Sequence, residues 1–236
     1  MKRVFTLLAL LAIALTGKMS AQNIQFHYDF GGKIYDSRKE ALPSINTTLE
    51  NLSMDKWGQT YMFVDMFYAK QGIAEAYWEI ARELKFWKAP IALHLEYNGG
   101  VNHRYSMNNA YLAGLSYQWS NGDGSKFFNV YTAYRHDQGL DKPHNMQLTG
   151  AWSLTSWNRL FTFNGFADLM TTHIQEAKGG VIFVTEPQAW LNLNQFVGVP
   201  DDFDLSLGTE VRMAYNLFEY EKFMVMPTVA VKWTFR

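Results

Sequence analysis

Residues 23–30 read NIQFHYDF. Ile24, Phe26, Tyr28 and Phe30 share one parity, and Gln25, His27 and Asp29 share the other. Side chains alternate across a strand, so the segment carries one face of large apolar groups and one face of groups that seek water. In a soluble sandwich the apolar face would meet a protein core. In a membrane-spanning barrel it would meet lipid, and the polar face would line a lumen.

What precedes this stretch sets the compartment. Lys2 and Arg3 are followed by an apolar run over residues 4–15 and by the small or polar Thr16, Gly17, Ser20 and Ala21. A charged head, a short apolar run and a cut before Gln22 make residues 1–21 an export signal and residues 22–236 the mature domain. The run is too short for a membrane-spanning helix, and no later segment has the long uncharged apolar stretch such a helix needs. Cys is 0, which leaves no lipid-anchoring cysteine, disulfide framework or thiolate metal site. A formal net charge of -1 argues against a nucleic-acid polymer as partner. Aromatic residues make up 16%, yet mean hydropathy is slightly polar, a combination that fits a two-faced β-surface.

The alternation recurs along the chain. Ile45, Thr47 and Leu49 oppose Asn46, Thr48 and Glu50; Met62, Val64, Met66 and Tyr68 oppose Tyr61, Phe63, Asp65 and Phe67. Over residues 73–86, Ala74, Ala76, Trp78, Ile80 and Leu84 alternate with Glu75, Tyr77, Glu79 and Glu83. Its EIARELKFW is rich in helix formers, but the large apolar residues keep period two, so a strand is expected. Similar segments follow at 91–97, 111–119, 128–135, 145–154, 160–169, 181–193, 203–213 and 223–235. The sequence predicts about twelve strands of roughly 8–13 residues, long enough to cross a membrane at a tilt.

With the first strand running outward, LSMDKWG, FWKAP, SNGDGS, TSWNR and NQFVGVPDD fall as periplasmic turns. The longer, more polar connections, with the exception of residues 69–72, fall on the outer side. Trp57, Trp87, Trp119, Trp157 and Trp233 gather at the inner rim, with Tyr68, Tyr97 and Tyr134 towards the outer one, as in the aromatic girdles of membrane barrels. Alternation alone would favour a soluble all-β protein, because half-buried sheets are common. Signal, strand length, even count, loop asymmetry and girdles together predict an all-β fold, a twelve-stranded antiparallel transmembrane β-barrel in the outer membrane of a Gram-negative bacterium. Its partners would be outer-membrane lipid, the barrel-assembly machinery and a small-molecule solute.

That parity turns a definite set of side chains inward. From the first half come His27, Asp29, Glu50, Asp65, Phe67, Glu75, Tyr77, Glu79, His94 and Glu96. From the second half come Tyr131, Arg135, Asp168, Glu186, Trp190, Glu210 and Arg212, joined by Lys232, Tyr61, Phe63 and Phe166. These are the candidate solute-binding residues. An acid-leaning lumen disfavours anions, and rings beside carboxylates suit a solute with a flat apolar face and hydrogen-bonding edges. The same groups could instead pair with one another and fill the interior.

Other chemistries find less support. A lipid hydrolase on the barrel surface would draw on His136 and Asp137 in YRHDQG, or on His103 and Ser106 in VNHRYSMNN, but neither matches a serine-hydrolase signature. His27, His94, His103, His136, His144 and His173 are scattered without metal-ligand spacing, so no metal or other cofactor is expected. NGDG at 121–124 lies between two strands and reads as a turn. A closed structural or binding barrel is the remaining alternative.

Several segments carry a resemblance to a known family: the leader, the early HYDF strand, GIAEAYWEIARELKF and the C-terminal VAVKWTF. In strand order, length and character the mature chain resembles the Tsx-like nucleoside-specific channel-forming outer-membrane proteins and a related outer-membrane family of similar length. The resemblance implies a monomeric, non-enzymatic twelve-stranded barrel whose narrow lumen passes nucleosides by passive diffusion. No compact motif aligns, so no binding residue is carried over.

Overall fold

The computed structural model describes residues 19–36, 44–200 and 202–235. Thirteen strands form one antiparallel sheet: β1 (Met19–Asp29), β2 (Ile45–Asp55), β3 (Gly58–Ala69), β4 (Gly72–Leu84), β5 (Ile91–Asn102), β6 (Ala110–Ser120) and β7 (Lys126–Asp137), then β8 (His144–Thr155), β9 (Phe161–Thr171), β10 (Val181–Thr185), β11 (Gln188–Asn192), β12 (Leu205–Tyr215) and β13 (Phe223–Phe235). Apart from β10 and β11, which do not pair with each other, neighbours in sequence are paired. β13 returns to β1 from Gln22↔Phe235 to Asp29↔Thr228, which closes the sheet.

β10 and β11 are one stave. Both pair with β9 on one side and β12 on the other, and Thr185↔Ala167 and Gln188↔Asn164 belong to the same register. Pro187 brings no N–H to the ladder, and the interruption is confined to Glu186 and Pro187. Glu186 N still reaches Phe166 O at 3.1 Å and Val211 N reaches Pro187 O at 3.0 Å. The barrel therefore has twelve staves, as the alternation requires, and the helix-like EIARELKFW segment begins inside β4.

Residues 1–18, most of the expected export signal, lie outside the described residues; Met19 to Ala21 already pair with Leu52 to Met54 at the start of β1. The connections divide as expected. One end carries the compact turns, such as Lys56–Trp57 between β2 and β3, and the other carries most of the longer loops. Below, these are the turn end and the loop end. At 121–125 the NGDG stretch is a turn: Asp123 Oδ1 accepts Ser125 N at 3.1 Å and Oγ at 2.8 Å, and these bonds hold its carboxyl below the ordinary aspartate range.

The outer wall is apolar. Phe26, Leu49, Leu115, Val130, Leu148 and Val231 are exposed side chains on the outward parity. Trp57, Trp119 and Trp233 are exposed at the turn end, and Trp233 stacks on Phe235 with centroids 5.8 Å apart. At the loop end Tyr97 and Tyr111 pair across β5 and β6, 5.5 Å apart. The polar groups are on the other side: Gln25, His27, His94, Glu96, Gln147 and Glu210 are buried inside the wall. This inside-out distribution places the low-polarity environment outside the barrel.

Replacing Leu148 by Arg puts a charge on that outer band. It is expected to lower folding stability in a phospholipid bilayer by about 2–4 kcal/mol, whereas Leu148→Phe stays near neutral. Urea titration of the barrel refolded into vesicles measures both.

Candidate functional site

Two cavities inside the barrel are lined by the described residues. The turn-end chamber has a volume of about 270 Å³ and is lined from β2, β3, β4, β5, β7, β8, β9 and β12, with Glu186 and Gln188 of the broken stave. The loop-end chamber is about 440 Å³ and adds side chains from the loops. Six residues line both: Phe63, Asp65, Glu79, Phe166, Asp168 and Glu186. They come from β3 and β4 on one wall and from β9 and the stave of β10 on the other, six staves apart and hence facing each other across a twelve-stave barrel. They form the waist. Strand pairing sets Phe63 beside Glu79, and Glu186 N bonds Phe166 O, so each wall presents a ring next to carboxylates.

The waist carboxylates are held mostly by hydroxyls. Thr48 Oγ1 donates to Asp65 at 2.5 Å, Tyr77 OH to Glu79 at 2.6 Å and Thr149 Oγ1 to Asp168 at 2.5 Å. Among the described residues, Glu186 alone of the four has an ion-pair partner, Arg212. Asp65 interacts electrostatically with Glu186, and Glu79 with Asp168, so the two walls are within charge range of each other.

The turn-end chamber has one rigid polar cluster. His94 Nδ1 meets Glu83 Oε1 at 2.8 Å and its Nε2 meets Glu96 Oε2 at 3.1 Å, with all three side chains buried. Both contacts are hydrogen bonds to carboxylate when the ring carries both protons. Tyr131 stacks on the His94 ring with centroids 3.7 Å apart and gives its O–H to Glu96 Oε2 at 2.9 Å. Ser116 also donates to Glu83. Gly114, the β6 partner of His94, is sterically required: a Cβ there would lie 2.0 Å from Thr132 O.

The loop-end chamber is two-sided. Tyr77, Arg135, Asp137, Asn145 and Gln147 form its polar wall; Arg135 donates to Asp137 Oδ1 at 2.8 Å and Gln147 Oε1 at 2.9 Å. Met170, Ile182 and Val184 form an apolar wall, and Phe67 faces them from β3. Met107, Leu140, Ile174, Leu217 and Phe218 reach in from four loops and cover part of its mouth. Two of those loops are tied together, because Asn216 Nδ2 reaches Val181 O at 2.9 Å and Lys178 pairs with Glu221 at 2.6 Å. The Glu221 carboxylate holds the Lys178 ammonium above its ordinary range.

The structure puts most of the expected lumen residues into these spaces. Glu50, His94, Glu96, Tyr131 and Glu210 line the turn-end chamber. Phe67, Glu75, Tyr77, Arg135 and Arg212 line the loop-end chamber, and Asp65, Glu79, Asp168 and Glu186 stand at the waist. Three point inward but line neither chamber. His27 is packed against Gln25 and Thr228, Trp190 is buried beneath Lys232, whose Nζ lies 4.1 Å from the ring centroid, and Asp29 accepts Gly31 N at 2.6 Å beside a helical turn (Gly31–Ile34). Together with Gln188 and Glu210, which bond at 2.8 Å, they fill one side of the barrel.

Glu83, Asn129, Gln147, Asn164 and Gln188 also line the chambers and were missed as site residues, although their inward parity was available from the alternation. The loop residues over the mouth carried no such signal. Of the hydrolase candidates, His136 faces outward, with His144 5.7 Å away, whereas Asp137 turns inward to Arg135 and Asn145; the wall separates the two.

A closed wall, an apolar outer band and a polar two-chambered lumen define the class, a porin-type β-barrel. The chain belongs to the family described as Domain of unknown function (DUF5020), whose model matches residues 21–235. No curated protein matches the sequence. Among solved structures it is similar to the NanC porin, with a TM-score of 0.57, 10% identity and coverage of 90% of this chain and 98% of that one. It is also similar to the KdgM porin, at TM-score 0.49, 10% identity and coverage of 92% and 99%. Pseudomonas aeruginosa OccK5 (OpdH) follows at TM-score 0.44, 8% identity and coverage of 89% and 62%. The likeness to NanC is one of fold.

His94→Ala would leave Glu83 and Glu96 buried without the ring between them. The expected cost is about 3–5 kcal/mol of folding stability, read from urea unfolding.

Proposed function

We propose that the protein is a passive outer-membrane channel for small polar solutes, of which nucleosides are the best-matched class. The observation that carries the reading is the pair of chambers meeting at a waist inside a wall that is apolar outside and polar inside. Residues 1–21 act as the export signal, residues 22–236 form the barrel, and the assembly machinery inserts it as a monomer. The closed β1–β13 seam supports a pore made by a single chain.

Nucleoside preference rests on two supports. The lumen offers rings beside hydrogen-bonding groups: Tyr61 donates to Glu50 at 3.2 Å, and Phe63 and Tyr77 have centroids 6.1 Å apart. A nucleoside has the matching form, a flat base with polar edges and an uncharged sugar. The second support is the resemblance of HYDF, GIAEAYWEIARELKF and VAVKWTF to the Tsx-like channels. A solute that passes such a lumen must bind well enough to enter and weakly enough to leave.

Liposome swelling with purified, refolded protein tests the reading. A nucleoside is expected to swell the vesicles faster than a sugar of similar mass. Equal rates would remove the nucleoside preference and leave a general small pore, and no swelling with either would overturn the channel.

A further inference from the structure

The waist combines the aromatic faces of Phe63 and Phe166 with four carboxylates, and three of these, Asp65, Glu79 and Asp168, take hydroxyl donors and no ion-pair partner among the described residues. A second feature lies next to them on the turn-end side. Glu96 has a side chain only 3% exposed, and while its Oε2 is shared by His94 and Tyr131, its Oε1 has no hydrogen-bond partner among the described residues. Glu96 lines the same chamber and interacts electrostatically with both Glu79 and Asp168.

The neighbouring amides have the same bias. Asn129 Oδ1 and Asn164 Oδ1 line this chamber and are likewise unpartnered. Their orientation is fixed by what their nitrogens do. Asn164 Nδ2 donates to Gln188 Oε1 at 2.9 Å, and Gln188 is itself oriented by donating Nε2 to Glu210 at 2.8 Å. Asn129 Nδ2 is turned to Glu83 Oε1 at 3.4 Å. Both amides therefore leave an oxygen, an acceptor, without a donor. All three acceptor atoms are covered by neighbouring side chains, so a guest engages them by displacing the groups that cover them. Against these acceptors the described residues set one unpartnered N–H, Trp152 Nε1 of the turn-end chamber, and two cations within charge range, Arg212 and Arg135, which are paired with Glu186 and Asp137. Acceptors outnumber free donors, and the site also offers ring faces, which attract cations.

We propose that the waist and the turn-end chamber form a charge filter that admits small organic cations with a flat, N–H-rich head group of the amidinium or guanidinium type and turns back anions. The inference deepens the channel reading and rests on it for the route of entry. The head group exchanges its water for carboxylate oxygens at Asp65, Asp168 and Glu96 and amide oxygens at Asn129 and Asn164, while Phe63 and Phe166 cover its faces. An anion at the same place meets four carboxylates, with Arg212 already engaged by Glu186.

Reversal potentials of the full chain in planar bilayers test this. Under a KCl gradient, K⁺ is expected to permeate about tenfold faster than Cl⁻, and guanidinium to exceed K⁺ under bi-ionic conditions. Asp168→Asn and Glu96→Gln, two isosteric changes, should each lower the cation preference severalfold. A ratio at or below one, or variants that leave it unchanged, would overturn the filter while the channel stands. Absence of conductance would instead fail the channel reading. The site is then decided by calorimetry on detergent-refolded protein: benzamidinium binding that exceeds benzoate binding and falls about tenfold or more in either variant keeps it, and equal or no binding overturns it.

Discussion

In hydrocarbon no water is present to satisfy a backbone N–H or C=O, so a β-structure can cross a membrane only if its sheet has no free edge. The β1–β13 seam meets that constraint, and every other feature of the molecule depends on it. The constraint is visible even where the ladder is disturbed. Pro187 interrupts a stave, yet Glu186 N and Val211 N keep carbonyl partners. Near Pro227, where the β12–β13 ladder lapses, Thr228 Oγ1 accepts Glu210 N at 3.1 Å and Thr209 Oγ1 donates to Thr228 O at 2.6 Å.

Closure fixes an inside and an outside, and the pleat then sorts every side chain to one or the other. The interior is too small to be filled with bulk water and too polar to pack as a hydrocarbon core. Its groups therefore have to satisfy one another, which they do in clusters. His94 bridges Glu83 and Glu96, Arg135 bridges Asp137 and Gln147, and Trp190, Gln188 and Glu210 form a chain on the side that is filled. Such clusters hold side chains in fixed rotamers and so leave spaces of defined shape between them. The waist is one result: two rings and four carboxylates from opposite walls, with mainly hydroxyl partners.

A site of this kind differs from a catalytic one. Its members come from most staves of the barrel, each contributing one or two groups, and their effect on a solute is the sum of charge, width and hydrogen-bonding capacity along the axis. In the loop-end chamber Met170, Ile182 and Val184 make an apolar wall, and Phe67 and Tyr77 face it from β3 and β4. The ties between the loops at Asn216 and at Lys178–Glu221 hold Leu217 and Phe218 near that mouth.

Period-two alternation was sufficient to place the staves and to decide which side chains point inward, because parity is a local property: His27, Glu79, Asp168 and Arg212 could be assigned without knowing what they touch. It also resolved the helix-like residues 79–84 as strand, since Trp78, Ile80 and Leu84 lie on one face only at that period, although the strand stops at Leu84, before Lys85 to Trp87. Local pattern holds no information on which inward groups meet. That Asp65 and Glu79 face Asp168 and Glu186 follows from stave number and closure, that His27 and Trp190 are packed away from both chambers follows from the shape of the filled side, and that Met107 and Phe218 reach over the mouth follows from loop paths. Parity is set by the geometry of one residue and the next, and was fixed by the sequence; opposition across a lumen is set by the whole circumference, and only the closed barrel decided it.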